Sequence, residues 1–200
     1  MSNKENVIRS PFGTAKWISL HAPKVFGGGT PTPEEPGRYQ VSLLLDPESD
    51  EYGAFVKECR EVVDKLYSEY LEKTSDRKPK KLDADVLPIV EDTDRDGDET
   101  GLMEVKTGVK AGGVRSDTKE AWSRKIPVFG LDGKPMTLDQ EFAMGTKLRV
   151  SFEPSLWSPT GTSVLKATFR LRAAQVKEAQ YRDAGGDADF ADMVVEEDFD

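Results

Sequence analysis

Residues 38–45 (RYQVSLLL) alternate with a period of two, which puts Tyr39, Val41, Leu43 and Leu45 on one face of a predicted strand. Residues 14–20 (TAKWISL) read as a preceding strand. By strict alternation Trp17 shares its face with Ala15 and Ser19, opposite Ile18 and Leu20. Between the two strands, residues 26–37 (FGGGTPTPEEPG) are too rich in Gly and Pro for anything but a loop. After residue 45 the period changes. Tyr52, Phe55, Val56, Cys59, Val62, Val63, Leu66 and Tyr70 recur at three- and four-residue spacing, the stripe of an amphipathic helix opened by Asp46-Pro47-Glu48-Ser49-Asp50 and ending near Lys73. Glu61 and Lys65 sit four apart in the favourable order on its other face.

Alternation returns further on. Residues 102–111 put Val105 and Val109 on one side and Lys106 and Lys110 on the other. Residues 125–129 are a short candidate strand. Residues 147–152 oppose Leu148, Val150 and Phe152 to Lys147, Arg149 and Ser151. Residues 164–173 send Leu165, Phe169 and Leu171 inward and Lys166, Arg170 and Arg172 outward, after a hairpin loop at 157–162. About five strands with one helix after the second predict a mainly β domain. An OB-fold, a five-stranded Greek-key barrel with a crossover helix, fits this order and binds oligonucleotides or oligosaccharides on its strand faces and loops.

Charge changes the picture. The chain of 200 residues carries a formal net charge of −9. Residues 183–200 hold eight acidic groups and no basic one, ending in Glu196, Glu197, Asp198, Phe199 and Asp200. Residues 1–182 are therefore near neutral, and the acidity belongs to a predicted disordered tail (183–200) appended to one domain (1–182). Within the body, residues 105–125 carry a net charge of +4 with Trp122 among them, and residues 147–172 carry another +4 with Trp157 at the loop. Cations that track phosphates and rings that stack on bases are what single-stranded nucleic acid requires. The candidate phosphate contacts are Lys106, Lys110, Arg115, Lys125, Arg149, Lys166, Arg170 and Arg172, lined up as one basic face. Trp17, Trp122 and Trp157 are the stacking candidates.

Other chemistry is sparse. His21 is the only histidine and has no evident partner in the sequence. Cys59 lies on the apolar stripe and reads as a packed thiol. Gly27-Gly28-Gly29-Thr30 lacks the Gly-Lys-Ser/Thr ending and the helix of a phosphate loop. Asp92, Asp94, Asp96 and Gly97 match the opening of an EF-hand loop, but Met103 stands where the bidentate Glu is needed. No metal, cofactor or catalytic residue is expected. The lone cysteine suits a reducing compartment. No apolar run is long enough to span a membrane.

The order of these pieces resembles a known family, the single-stranded DNA-binding proteins of short-tailed bacteriophages. The stretch 86–176 carries most of the likeness: LPIVEDTDRDGDETG, GTKLRVSFEPSLW and the closing TGTSVLKATFRLRAAQV. The resemblance implies an OB-fold that coats single-stranded DNA without sequence preference in replication, recombination and repair, and promotes strand annealing. It also implies a homodimer in the host cytoplasm, with a tail (Glu196, Glu197, Asp198, Phe199, Asp200) that recruits the phage DNA polymerase and helicase/primase. The tails of that family commonly end in Phe, and here Asp200 follows Phe199. The rival reading is a protein-interaction module, a DNA mimic or assembly factor, that acts through its acidic tail and ignores nucleic acid.

Overall fold

The structure, a computed structural model, describes residues 6–25, 27–74 and 78–181. The predicted tail lies outside them. In chain order the elements are β1 (Ile8–Arg9), β2 (Gly13–Lys24), β3 (Arg38–Leu45), α1 (Asp50–Lys73), β4 (Lys81–Leu82), β5 (Ile89–Thr93), β6 (Glu99–Lys110), β7 (Gly112–Val114), β8 (Ala121–Ser123), β9 (Val128–Phe129), β10 (Lys147–Trp157) and β11 (Val164–Glu178).

Five long strands close a circuit. β2 pairs β3, β3 pairs β6, and β10 pairs both β11 and β2, all antiparallel; β6 pairs β11 in parallel. This is the five-stranded Greek-key barrel expected of an OB-fold, with α1 between its second and third strands. Two seams are short. β6 and β11 share two register pairs, Phe169 with Thr107 and Arg170 with Gly108. β10 and β2 also share two, reinforced by the Ala15 amide donating to the Thr146 carbonyl at 2.9 Å.

The alternation read in the sequence is the one that fills the barrel. Val41, Leu43, Val105, Leu148 and Phe152 are fully buried. The Phe152 ring stacks on Phe169 at 4.2 Å between centroids and meets Phe55 of α1 edge-on at 6.0 Å. α1 begins where Ser49 caps it by accepting from the Tyr52 amide, and lays Phe55, Cys59 and Val63 on the barrel. Burial pushes the Cys59 thiol up to about 12, so the group stays protonated and packs as a small apolar side chain.

Strict alternation fails in β2. Ala15 pairs Leu43, but Trp17 pairs Ser42, so Lys16 is an extra residue in a bulge. The bulge resets the period: Ala15 and Ile18 both face the core, while Trp17 is turned out with 53% of its surface exposed. Ser19, expected beside Trp17 on the outer face, is buried and donates its hydroxyl to the Ala22 carbonyl at 2.6 Å.

The bulged Lys16 forms an ion pair with Asp92, whose carboxylate also accepts from the Thr100 hydroxyl at 2.7 Å. Burial pushes the Asp92 carboxyl up, but these hydrogen bonds and the ammonium outweigh it and hold it below its ordinary value. A folded-state pKa below the unfolded one contributes stability that is complete above about pH 4 and is lost as pH falls through the folded value. The destabilisation caused by Asp92→Asn should therefore be large at pH 7 and shrink in acid. Thermal melts of both proteins at pH 7 and pH 3 check this, and an equal difference at both values contradicts it.

Candidate nucleic-acid interface

The outer surfaces of β3, β6 and β11 meet in one row. Arg38 faces Lys110 and Gln40 faces Gly108 across β3 and β6, and Gly108 faces Arg170 across β6 and β11. Gly108 forms the floor of this row. A Cβ there would lie 3.2 Å from the Tyr39 carbonyl oxygen and 3.6 Å from an Arg38 guanidinium nitrogen, so the missing side chain is what leaves the surface open. β6 then runs into the β7–β8 hairpin, in which Gly113 pairs Trp122. The Trp122 indole lies against the Gly113 backbone, where a Cβ would come within 3.3 Å of its ring nitrogen. The Arg124 amide bonds the Ala111 carbonyl at 2.8 Å, and the Arg124 guanidinium sits 4.9 Å over the Trp122 ring.

Two cavities share Trp122 and Arg124 and so form one groove. The first, about 320 Å³, is bounded by Arg38, Lys110, Thr168 and Arg170. The second, about 550 Å³, is bounded by Arg115, Lys125, Leu171 and Arg172.

The groove is cationic and mostly uncompensated. Among the described residues Arg38, Lys110, Arg115, Arg124, Lys125 and Arg170 have no ion pair, and Arg172 alone is matched, to Glu153 at 3.0 Å. Burial and then the charges of Arg170 and Arg172 pull the Arg124 pKa below its ordinary value. A guanidinium does not lose its proton in a protein, so all of these groups stay charged in the groove. Arginine forks suit phosphate oxygens, and a ring held beside them offers a base its π-face.

The predicted residues thus divide. Lys110, Arg115, Lys125, Arg170, Arg172 and Trp122 converge in the groove. Lys106 lies on the same outer face in the row Trp17–Ser42–Lys106, about 13 Å along β3 from the Arg38 row, and pairs with Glu104 at 3.6 Å. Lys166 pairs with Asp83 at 3.3 Å. It lines a different cavity with Trp157, Tyr52 and Val56, beside α1. Trp157 is the last residue of β10, not a loop residue, and is half exposed. Arg149 lines a third cavity on the β1–β10–β11 surface. The single basic face expected from the strands is therefore one groove with outlying cations, because a closed barrel turns successive strands toward different directions. Arg38 and Arg124 were not among the candidates. The alternation of residues 38–45 places Arg38 outward with Gln40 and Ser42, and Arg124 belongs to the +4 segment; both signals are in the sequence.

The other motifs have local roles. Asp94 caps the β5–β6 turn, its carboxylate accepting from the amides of Asp96 at 2.9 Å and Asp98 at 3.0 Å. Asp92 faces Lys16 instead. The His21 ring shares a hydrogen bond with the Leu138 carbonyl at 3.0 Å. Among the described residues no three His, Cys, Asp or Glu side chains are placed to hold a metal ion, and no helix is long and apolar enough to cross a membrane.

No protein-family model and no curated protein sequence matches the chain. Solved structures do. The crystal structure of gp2.5, a single-stranded DNA-binding protein encoded by bacteriophage T7, aligns over 98% of this chain and 99% of its own with a TM-score of 0.66 and 21% identity. The single-stranded DNA-binding protein from bacteriophage Enc34 in complex with ssDNA aligns over 88% of each chain, with a TM-score of 0.59 and 16% identity. The same Enc34 protein without its C-terminus aligns with a TM-score of 0.59 and 15% identity. The chain shares the fold of these phage proteins. At such identities the likeness extends to the barrel and its helix and not to individual side chains.

Proposed function

We propose that this chain is a sequence-independent single-stranded DNA-binding protein of a bacteriophage that acts without catalysis. The observation that carries the reading is the groove of unmatched cations around Trp122. Its neighbours in fold support it, one of them being a complex with ssDNA. In this reading Arg38, Lys110, Arg115, Arg124, Lys125, Arg170 and Arg172 hold phosphates and Trp122 stacks on a base. Lys106 and Trp17 extend the path along β3. The Arg172–Glu153 pair is no obstacle, since pairs open to solvent are worth about 0–1 kcal/mol and a phosphate can replace the carboxylate. Glu104 is buried, but it keeps Lys16 at 3.9 Å as a second partner when Lys106 turns to a phosphate.

The biological setting proposed is the coating of single strands in replication, recombination and repair, with strand annealing, by a homodimer in the host cytoplasm. The acidic tail would recruit the phage polymerase and helicase/primase. Before DNA arrives, its carboxylates are suited to the same groove. Attraction between exposed charges fades over about 8 Å at physiological salt, so the tail competes only by entering the groove.

One titration tests the reading. Labelled single-stranded and duplex DNA are titrated with the full chain and with a chain lacking 183–200. The full chain should prefer the single strand, with affinity falling steeply as salt rises. The truncated chain should bind more tightly at low salt. An unchanged affinity on truncation refutes tail competition alone. Failure of both proteins to bind single strands refutes the function and favours a module that acts only through its tail.

A further inference from the structure

Beyond Arg172 the barrel surface opens into the third cavity, of about 410 Å³, lined by Arg9, Phe129, Arg149, Ser151 and Gln175. β1 sets Arg9 opposite Ser151, and β11 sets Gln175 opposite Arg149. The Arg149 guanidinium is held in place. Its Nε donates to Gln175 Oε1 at 2.9 Å and its plane covers the Phe12 ring at 4.8 Å. Its two terminal nitrogens meet no acceptor among the described residues. The Gln175 side chain is itself fixed by donating to the Gly130 carbonyl at 3.0 Å. The Lys177 ammonium, which lines the neighbouring cavity at Phe12, lies 5.8 Å from the same ring.

Charge here is again unmatched. Arg9, Arg149 and Lys177 have no ion pair among the described residues, while the nearby carboxylates of Glu153 and Glu178 are taken by Arg172 and Lys147, the latter pair at 3.2 Å. The cavity adjoins the groove along β11, where Arg172 lines the groove and the next residue, Ala173, lines the cavity. Arg172, at the groove's edge, precedes Gln175 by three residues on β11, about 10 Å along the strand.

We propose that this cavity is a second polynucleotide subsite, which takes a phosphodiester of the bound strand after it leaves the Trp122 groove. The strand then passes from the β6 side of β11 across to β1, and Arg9 and Arg149 grip it there. The proposal rests on the single-strand reading of the groove and adds a length requirement to it. A strand long enough to fill only the groove cannot feel Arg9 or Arg149.

The test compares oligo-dT of about 6 nucleotides, near the short end of the site sizes of such folds, with oligo-dT of about 30, well beyond their long end. Arg9→Ala and Arg149→Ala are made in the full chain. Each should weaken binding of the long strand several-fold and lower its salt slope by about 0.7. Each should leave the short strand unaffected. Arg149 packs on Phe12, whereas Arg9 is exposed, so Arg9→Ala reports even if Arg149→Ala disturbs the fold. Equal losses on both lengths, or none on either, overturn the second subsite. Equal affinity of the wild type for both lengths overturns it as well and leaves the groove standing. Binding of neither length overturns both.

Discussion

Replacing Arg124 and Arg170 together with alanine should weaken binding to a long oligo-dT by about 100-fold at moderate salt. Each guanidinium is taken to make one charged hydrogen bond to phosphate, worth about 1.5–3 kcal/mol. Two such losses at the low end come to about 3 kcal/mol, and each 1.4 kcal/mol is tenfold. The dependence of affinity on salt should flatten as well, by about 0.7 in slope per phosphate released. Anisotropy titrations at several salt concentrations read both quantities. The pair is informative because its electrostatics point one way. Neither side chain has a carboxylate partner among the described residues, and the charge of Arg170 raises the cost of Arg124's. Removing them should relieve repulsion in the free protein, so thermal stability should hold or rise while binding falls. A variant that binds as well as the wild type would take the groove out of the interface. A variant that binds poorly and also melts early would point to damage instead. Arg170→Lys keeps the charge and loses the fork, so it should cost affinity with little change in slope.

The largest expected effect on the fold is at Phe152. Phe152→Ala should destabilise the protein by about 3–5 kcal/mol. The ring is fully buried between the stacked Phe169 and the edge of Phe55, so its loss opens a cavity where α1, β10 and β11 meet. Domains of this kind are stable by only about 5–15 kcal/mol, so the change consumes a large share of the total. Urea unfolding reads it as a lowered midpoint with little change in slope. Trp157→Ala, by contrast, removes a half-exposed ring at a strand end and should move the midpoint little. Similar midpoints for the two variants would mean that the three-ring contact is not the centre of the core.

The barrel was legible because burial imposes a period. Tyr39, Val41, Leu43 and Leu45 are buried as the alternation requires, and the predicted strand at 38–45 matches β3 at both ends. α1 was legible for the same reason at a different period, with its cap at Ser49. What escaped was set by contacts distant in sequence. The bulge at Lys16 follows from the pairing with β3 and from Asp92, a residue 76 positions away, and nothing within residues 14–20 announces it. The β7–β8 hairpin escaped because Gly112 and Gly113 carry no side-chain pattern; their role is to leave room for Trp122. β4 and β5 are short and pair with only part of β11 and β6.

The site was legible in its chemistry and not in its geometry. Net charge over 105–125 and 147–172 singled out the right strands. It could not tell Arg170, free in the groove, from Lys166, four residues earlier on β11 and paired with Asp83. Both point outward by the same alternation. What separates them is the neighbour across the sheet: Gly108 for Arg170, and the 84–91 segment beside α1 for Lys166. Trp122 and Trp157 were likewise equal as sequence and are distinguished by Arg124 and the hairpin around the first.

The central claim is that a single strand lies in the groove against Trp122. The fluorescence of that residue tests it most directly, in a full chain carrying Trp17→Phe and Trp157→Phe so that Trp122 is the only indole. Adding oligo-dT at low salt should quench the emission to a saturating limit, with the midpoint moving steeply to higher DNA concentration as salt is raised. Binding detected by anisotropy while the Trp122 emission stays unchanged would contradict the account.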